Sequence, residues 1–151
     1  MDTLELKKAL QGKMLETVEE QLKSALERMD EALEAVQSET KSTAGDKHET
    51  GRAMAQLEQE KAGKIIQATK QNKNRVQSLP LEKMETVSLG AVVETNKGAF
   101  YISLAMGKVV LEGKTYFAVS PTAPIVQAML GMKVGDEFVF NGMKQNIEKI
   151  F

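Results

Sequence analysis

The sequence predicts an α+β protein in which an antiparallel helical hairpin precedes a small antiparallel β domain with one short helix. Two observations predict this class. Apolar residues follow helical spacing through the first half of the chain, and they alternate every second residue after Pro80. The chain has 151 residues, which suffices for one ordinary domain or two small ones. We therefore expect a coiled-coil hairpin over residues 1–79 and a β domain over residues 80–151.

The first predicted helix has an apolar seam of the coiled-coil type, because spacings of three and four residues alternate along it without interruption. A helix from about Thr3 to about Gln37 would be roughly 50 Å long, at about 1.5 Å per residue. The seam consists of Leu15, Val18, Leu22, Ala25, Met29, Ala32 and Val36.

The second predicted helix has a weaker seam, since Lys61 and Asn72 fall on it. It ends near Leu79, because Pro80 disfavours the α conformation of the residue before it. The apolar members of this seam are Met54, Leu57, Ile65, Ala68, Val76 and Leu79.

The two predicted helices have opposite charge. Residues 1–39 contain five basic and ten acidic side chains, whereas residues 50–80 contain six basic and two acidic ones. The net charges are therefore −5 and +4. Packed antiparallel, the helices would attract each other.

The second half of the chain predicts three β-hairpins and one short helix. Turn residues separate strand-like runs at 96–98 and 112–114, and Asn141-Gly142 is the strongest short hairpin signal. A helix is expected from Pro124 to Leu130, with Pro near its start and Gly131 after its end.

Composition excludes several classes of function. The net charge of −1 argues against binding nucleic acid through bulk positive charge. There is no cysteine, so disulfides and thiolate metal sites are excluded. No signal peptide or membrane-spanning run is present, so we expect a cytoplasmic protein with no membrane partner. Without a Walker loop, G-x-S-x-G or H-E-x-x-H motif, we expect no enzyme activity and no cofactor of its own.

The break between the helices, near residues 42–51, contains the candidate chemistry. Asp46 and Glu49 are three residues apart and offer hard oxygen ligands for a divalent cation such as Mg²⁺, shared with a partner. The same spacing is a capping box, with Asp46 as N-cap and Glu49 reaching back. His48 is the only histidine, and it is either a ligand or a solvated loop residue. Lys47 and Arg52 either contact phosphate or pair with Glu49 and the helix end.

At this point the chain resembles the bacterial Gre transcript-cleavage factors, over nearly its whole length. Gly45-Asp46-Lys47-His48-Glu49 is similar to the family's tip motif of Asp-x-x-Glu after Gly. The stretch from Val119 to Asp136 is similar to the family's longer signature, which includes Ser-Pro, an Ala followed by Leu or Ile, and Gly-Lys-x-x-Gly-Asp.

The resemblance implies an FK506-binding-protein-like β domain that docks at the rim of the secondary channel of RNA polymerase, while the hairpin enters the channel. Asp46 and Glu49 would help to hold a second Mg²⁺ beside the polymerase's own metal, and the polymerase would cleave backtracked RNA. Nascent RNA and DNA would be contacted indirectly, and a monomer is expected. The residues expected to face the partner are Lys47, His48, Arg52, Ser120, Pro124, Gly131, Gly135 and Asp136.

The likeness has departures that leave other functions open. Thr50, Gly51 and Arg52 follow Glu49 where the family usually has Asn, a further acid and an aromatic, and Ala123 replaces a Ser. One alternative is therefore a Gre-fold regulator that binds the polymerase without stimulating cleavage. Another is a coiled-coil adaptor or chaperone, and dimerisation through the coil also remains open.

Overall fold

A computed structural model describes residues 1–41 and 46–151 of the chain, with side chains described for residues 1–38 and 49–151. Two long helices precede six strands and one short helix, so the predicted α+β class is confirmed. The elements are α1 (Thr3–Lys41), α2 (Asp46–Gln77), β1 (Val92–Thr95), β2 (Gly98–Ile102), β3 (Gly107–Leu111), β4 (Lys114–Val119), α3 (Pro124–Met129), β5 (Glu137–Phe140) and β6 (Met143–Ile150).

The chain divides into two compact units. One unit comprises Met1–Leu15 and Arg75–Phe151, and the other comprises Glu16–Asn74. The first unit thus contains the start of α1, the end of α2 and the whole sheet. The second contains the long paired parts of α1 and α2, here called the hairpin unit. The division into domains 1–79 and 80–151 stays a prediction.

Within the hairpin unit, α1 and α2 run antiparallel. Glu19 of α1 forms an ion pair of 2.6 Å with Lys73 of α2. Further along, the Cε atom of Met29 lies 3.6 Å from the place that a Cβ on Gly63 would occupy. Because residue numbers rise along α1 as they fall along α2, the two helices form the predicted hairpin. The Glu19–Lys73 pair joins the acidic helix to the basic one, as their charges predict.

The predicted seam of α1 is confirmed. Val18, Ala25 and Ala32 are buried, and the other seam residues are half-buried. Large apolar residues outside the seam, such as Leu26 and Leu33, remain exposed. The alternation of three and four residues therefore identified the face of α1 that packs.

The predicted seam of α2 is wrong over most of its length. Met54 is 65% exposed, Leu57 49% and Ile65 38%, although Val76 and Leu79 are buried as expected. Ala55, Ala62 and Thr69 are buried instead, each one position after a predicted seam position, and together with Val76 they form a seven-residue repeat. Small side chains let two helix backbones approach closely. The face of α2 that packs on α1 therefore contains small residues and not the most hydrophobic ones.

The six strands form one mixed sheet in the order β3-β4-β2-β1-β6-β5. Neighbouring strands are antiparallel except β2 and β4, which are parallel, with Ala99 opposite Tyr116. This pair differs from the expected all-antiparallel sheet. The reason is topological: β3 lies at the sheet edge and β4 returns between β3 and β2, so β4 runs in the direction of β2.

The three predicted hairpin turns join β1 to β2, β3 to β4 and β5 to β6. Asn141 and Gly142 have φ values of 51° and 73°, which is the left-handed pair that a tight two-residue hairpin requires. Glu112 and Gly113 repeat this geometry, with φ values of 50° and 78°. The tight turns therefore fix the register of the outer strands.

The core of the first unit lies where α3 packs on the sheet. Val126 and Met129 of α3 are fully buried there. The buried residues of this cluster are Val87, Ala91, Val93, Ile102, Val126, Met129, Phe138, Ile147 and Ile150. Burying this apolar area is the main favourable contribution to the stability of the unit.

A lysine is buried in the same unit near the start of α1. Lys7 has no exposed surface, and its ammonium group donates a hydrogen bond to the carbonyl oxygen of Glu82. Burial lowers the pKa of Lys7 to about 8, against a smaller opposing effect of the Glu82 carboxylate. One turn later, Gln11 donates to the carbonyl oxygen of Val76 over 2.9 Å. The acceptor of Gln11 lies in the last turn of α2, and the acceptor of Lys7 lies in the segment after it.

Candidate functional site: the first turn of α2 and the α3 segment

The first turn of α2 contains both predicted acids. The backbone of Asp46 begins the helix, and Glu49 follows three residues later. The first turn of a helix leaves backbone N–H groups unbonded, and its dipole favours negative charge there. The sequence thus places two acidic residues in the turn where a helix favours negative charge.

Glu49 and Arg52 are both exposed in this turn. The side chains of Asp46, Lys47 and His48 lie outside the described residues. Whether Asp46 caps the helix or turns outward with Glu49 therefore stays a prediction, as do the roles expected for Lys47 and His48. An exposed Glu49 is free to serve either role.

Whether the acids of this turn hold a cation that a partner completes stays a prediction. Two carboxylates offer hard oxygen ligands, whereas Mg²⁺ needs six, usually with water and outside groups. Among the described side chains, no group of three or more histidine and acidic residues could hold a metal ion. A cation bound here would supply charge neutralisation and water activation to a partner's chemistry.

Two shallow grooves run along the hairpin unit. The groove nearer the first turn of α2 has a volume of about 500 Å³ and is lined by Arg28, Glu31, Ala32, Ala35, Gly51, Met54, Ala55 and Glu58. The other has about 530 Å³ and is lined by Thr17, Glu20, Gln21, Ser24, Ala25, Arg28, Ile65 and Thr69. Both are open at the surface. They suit contact with another macromolecule better than they suit enclosing a small substrate.

Ser120 and Pro124 organise the start of α3. The Ser120 hydroxyl lies 2.8 Å from that of Thr122 and accepts a bond from the Thr122 backbone N–H over 3.2 Å. Pro124 is the first helical residue, where its missing N–H costs nothing. The N-cap residue, Ala123, makes no side-chain cap, so the turn at Ser120 takes over the role of positioning the helix.

Gly131, Gly135 and Asp136 shape the loop that follows α3. Gly131 and Gly135 have φ values of 79° and 94°, which side chains rarely adopt. Their backbone N–H groups donate to the carbonyl oxygens of Val87 and Ile147. The Asp136 carboxylate accepts a bond from the Lys133 N–H over 2.9 Å and closes the loop. These residues therefore have folding roles, and contact with a partner stays a prediction.

Exposed apolar side chains lie beside this segment. Leu130 is 49% exposed and Val134 is 56% exposed, and they flank the loop that Gly131 and Asp136 shape. The segment thus presents two apolar side chains from a backbone held by internal hydrogen bonds. That combination is suitable for docking on another surface.

Sequence reasoning missed two features of the molecule. It did not single out Lys7, although Lys7 precedes Leu10 and Met14 at the helical spacing of a buried stripe. It also assigned Met54, Leu57 and Ile65 of α2 to the hairpin interface, but the structure leaves these side chains exposed. The repeat of small residues at Ala55 and Ala62 was the signal that indicated the true face.

No protein-family model and no curated protein matches the chain. Two solved structures similar over most of its length are of a Gre-like factor. One is the crystal structure of GreA factor homolog 1 (Gfh1) of Thermus thermophilus, with 20% identity, a TM-score of 0.38, and coverage of 92% of this chain and 95% of that one. The other is described as the transcription factor Gfh1, with 22% identity, a TM-score of 0.40 and 90% coverage of both chains. At these TM-scores the likeness carries no functional weight.

Among the described residues, no helix combines the length and the apolar character required to cross a membrane.

Proposed function

We propose that this chain is a cytoplasmic Gre-like transcription factor that binds bacterial RNA polymerase through its secondary channel and promotes transcript cleavage in backtracked complexes. The observation that carries the proposal is the position of Asp46 and Glu49. Both lie in the first turn of the second helix of a long antiparallel hairpin, directly after the break between the helices. A hairpin of this kind delivers carboxylates to a site on another molecule.

The chemistry in this proposal belongs to the polymerase. Asp46 and Glu49 supply two oxygen ligands to a Mg²⁺ ion that the polymerase shares, and the ion activates water beside the RNA phosphodiester. The chain itself contributes position and negative charge. The open grooves and the two-carboxylate donor set are consistent with a protein that completes a partner's site.

The sheet unit docks through the segment around α3. Leu130 and Val134 are exposed beside a loop whose backbone is held by Gly131, Gly135 and Asp136. We propose that these apolar side chains contact the polymerase at the channel rim. Ser120 and Pro124 act by holding α3 in place.

A cleavage assay tests the role of the acids. Stalled, backtracked complexes of purified bacterial polymerase are incubated with the protein, and the shortened RNA is resolved on a gel. Asp46→Asn with Glu49→Gln should lower the stimulated cleavage rate about tenfold or more, because the shared cation loses two ligands. The control is Glu27→Gln with Glu34→Gln, which makes the same charge change at exposed positions of α1. Equal rates for both double variants would remove the acids from the mechanism.

A binding assay tests the docking segment separately. Leu130→Asp with Val134→Asp should weaken polymerase binding while the fold is retained, since both side chains are already exposed. Val110→Asp is the matched control, because Val110 is 55% exposed on the edge strand β3. Failure of the unmodified protein to bind polymerase at all would overturn the proposed function.

A second candidate keeps polymerase binding and drops cleavage. It is favoured by Thr50, Gly51 and Arg52, which replace the residues that usually follow the second acid in the family the chain resembles. Arg52 is exposed and adds positive charge one turn from Glu49. In the same assay, such a regulator would bind polymerase and slow its intrinsic cleavage or elongation.

A further inference from the structure

A second apolar stripe runs along α2, on a face that α1 does not cover. Its members are Met54, Leu57, Lys61, Ile65, Ala68 and Asn72. Each of these except Leu57 comes one position before a buried or half-buried residue of α2. One position corresponds to about 100° around a helix, so the two stripes point in different directions. We call this face the outer stripe.

The outer stripe has the pattern of a helix-pairing seam. Its spacings are three, four, four, three and four residues, which is close to the alternation of a coiled coil. From Met54 to Asn72 it spans about 27 Å, at about 1.5 Å per residue. Met54, Leu57 and Ile65 are 65%, 49% and 38% exposed, so these three large apolar side chains of α2 lie outside the hairpin.

The charges along α2 indicate what pairs with this stripe. Residues 49–60 contain three acids and one arginine, whereas residues 61–75 contain five basic side chains and no acid. Two α2 helices that meet antiparallel would each place an acidic half against a basic half. A parallel pair would place like charges together.

We infer that the outer stripe binds the outer stripe of a second copy of this chain, antiparallel and around a two-fold axis between residues 62 and 63. In this register Met54 faces Asn72, Leu57 faces Ala68 and Lys61 faces Ile65. The same patch meets itself, so the contact closes as a dimer and does not extend into a filament.

One charged pair makes this register specific. Glu60 and Lys64 are both exposed, and they lie four residues apart on the same flank of the stripe, on either side of its midpoint. In the antiparallel dimer, each Glu60 faces Lys64 of the other copy, which gives two symmetric ion pairs. Lys61 and Asn72 keep the seam partly polar, so the dimer dissociates readily on dilution.

Sedimentation velocity over a range of protein concentrations measures the dimer. Leu57→Glu and Ile65→Glu should each raise the dissociation constant about tenfold or more, since each places a charge in the seam. The matched control is Leu33→Glu, because Leu33 is 40% exposed on α1, outside the stripe, and its substitution should leave the constant unchanged. A protein that stays monomeric at several hundred micromolar overturns the inference.

Mixing two charge variants tests the antiparallel register. Glu60→Lys and Lys64→Glu should each weaken self-association, because each creates like-charge contacts between copies. An equimolar mixture should restore association, since every contact across the axis then joins opposite charges. An ion pair within one helix cannot produce this rescue, because neither variant retains it. Weak association of both variants together with no rescue on mixing contradicts the proposed register. The measurement involves no polymerase, so its outcome is independent of the proposed function.

Discussion

Which face of α2 packs on α1 can be tested by placing the same larger side chain at two alanines of this helix. Ala62 is 2% exposed in the hairpin unit, whereas Ala68 is exposed on the outer stripe. Enlarging Ala62 to Leu forces a bulky group between closely packed helices. Enlarging Ala68 to Leu adds a side chain that projects into solvent.

The expected magnitudes differ clearly. Overpacking a well-packed interface costs about 1–3 kcal/mol, so Ala62→Leu should destabilise the protein by that amount. For Ala68→Leu the expected change is within about 0.5 kcal/mol, because Leu and Ala have similar helix propensities and the site is open. At about 2–4 °C per kcal/mol for a chain of this size, Ala62→Leu should lower Tm by several degrees.

Thermal and urea denaturation followed by circular dichroism at 222 nm measure the two variants. The protein is kept at a few micromolar, so that self-association through the outer stripe does not contribute. An unchanged urea m value indicates that only stability has changed. Destabilisation by Ala68→Leu with a neutral Ala62→Leu would refute the packing described and restore the seam predicted from sequence.

Four further predictions concern single residues of the other unit. Because the pKa of Lys7 falls from 10.5 to about 8 on folding, unfolding takes up a proton between these values and stability rises with pH in that window. Lys7→Met should flatten this rise, which is at most about 1.4 kcal/mol per pH unit, in urea denaturation at pH 8–10; an unchanged slope would contradict it. Gly12→Ala should stabilise by up to about 1 kcal/mol, since a Cβ there meets nothing within 4 Å. Gly90→Ala should lower the free energy of unfolding by about 2 kcal/mol or more, because φ is +90° and the Cβ would lie 2.9 Å from the carbonyl oxygen of Pro80. Urea denaturation measures both glycine variants, and a destabilised Gly12→Ala or a stabilised Gly90→Ala would contradict the reasoning for that residue. Tyr101→Phe should leave stability unchanged or raise it by up to about 1 kcal/mol, since the buried hydroxyl has no hydrogen-bond partner in the described structure; a clear loss would indicate a partner.

The hairpin could be predicted from sequence to different extents along its two helices. The seam of α1 contains Leu22 and Met29, whose size makes the periodicity plain. The packed face of α2 uses Ala55, Ala62 and Thr69, which hydrophobicity ranks below Met and Leu. Periodicity therefore identified the most apolar stripe of α2, whereas close approach of two helices requires the smallest one.

The sheet was predictable where local turns determine it and less so elsewhere. Asn141-Gly142 fixes the pairing of β5 with β6, because the two residues adopt the left-handed conformation that few others tolerate. The parallel pairing of β2 with β4 depends on where β3 lies, and no local signal encodes that position. Hairpin signals identify partners along the chain, but they do not order hairpins across a sheet.

The place of the candidate acids on the second helix could be predicted from sequence, whereas their roles stay predictions. Asp46 and Glu49 lie in the first turn of α2, as the break between the helices predicts. Gly131, Gly135 and Asp136 each form an internal hydrogen bond, and the expectation that they face a partner stays a prediction. A motif can recur because a fold requires it, so the motif alone does not separate folding residues from binding ones.

The buried stripe of small residues and the exposed outer stripe of α2 have one physical cause. Small residues facing α1, such as Ala55 and Ala62, allow two helix axes to approach more closely than large residues do. Placing Met54, Leu57 and Ile65 inward would bury more apolar area and stabilise the pair, but it would also separate the axes. Closely packed helices would suit the proposed entry into a channel, and the accompanying cost is a set of larger apolar side chains left in water. If the hairpin enters the polymerase channel as proposed, a second copy that covers those side chains in the free protein would also cover a face that enters it. Self-association and polymerase binding would then compete.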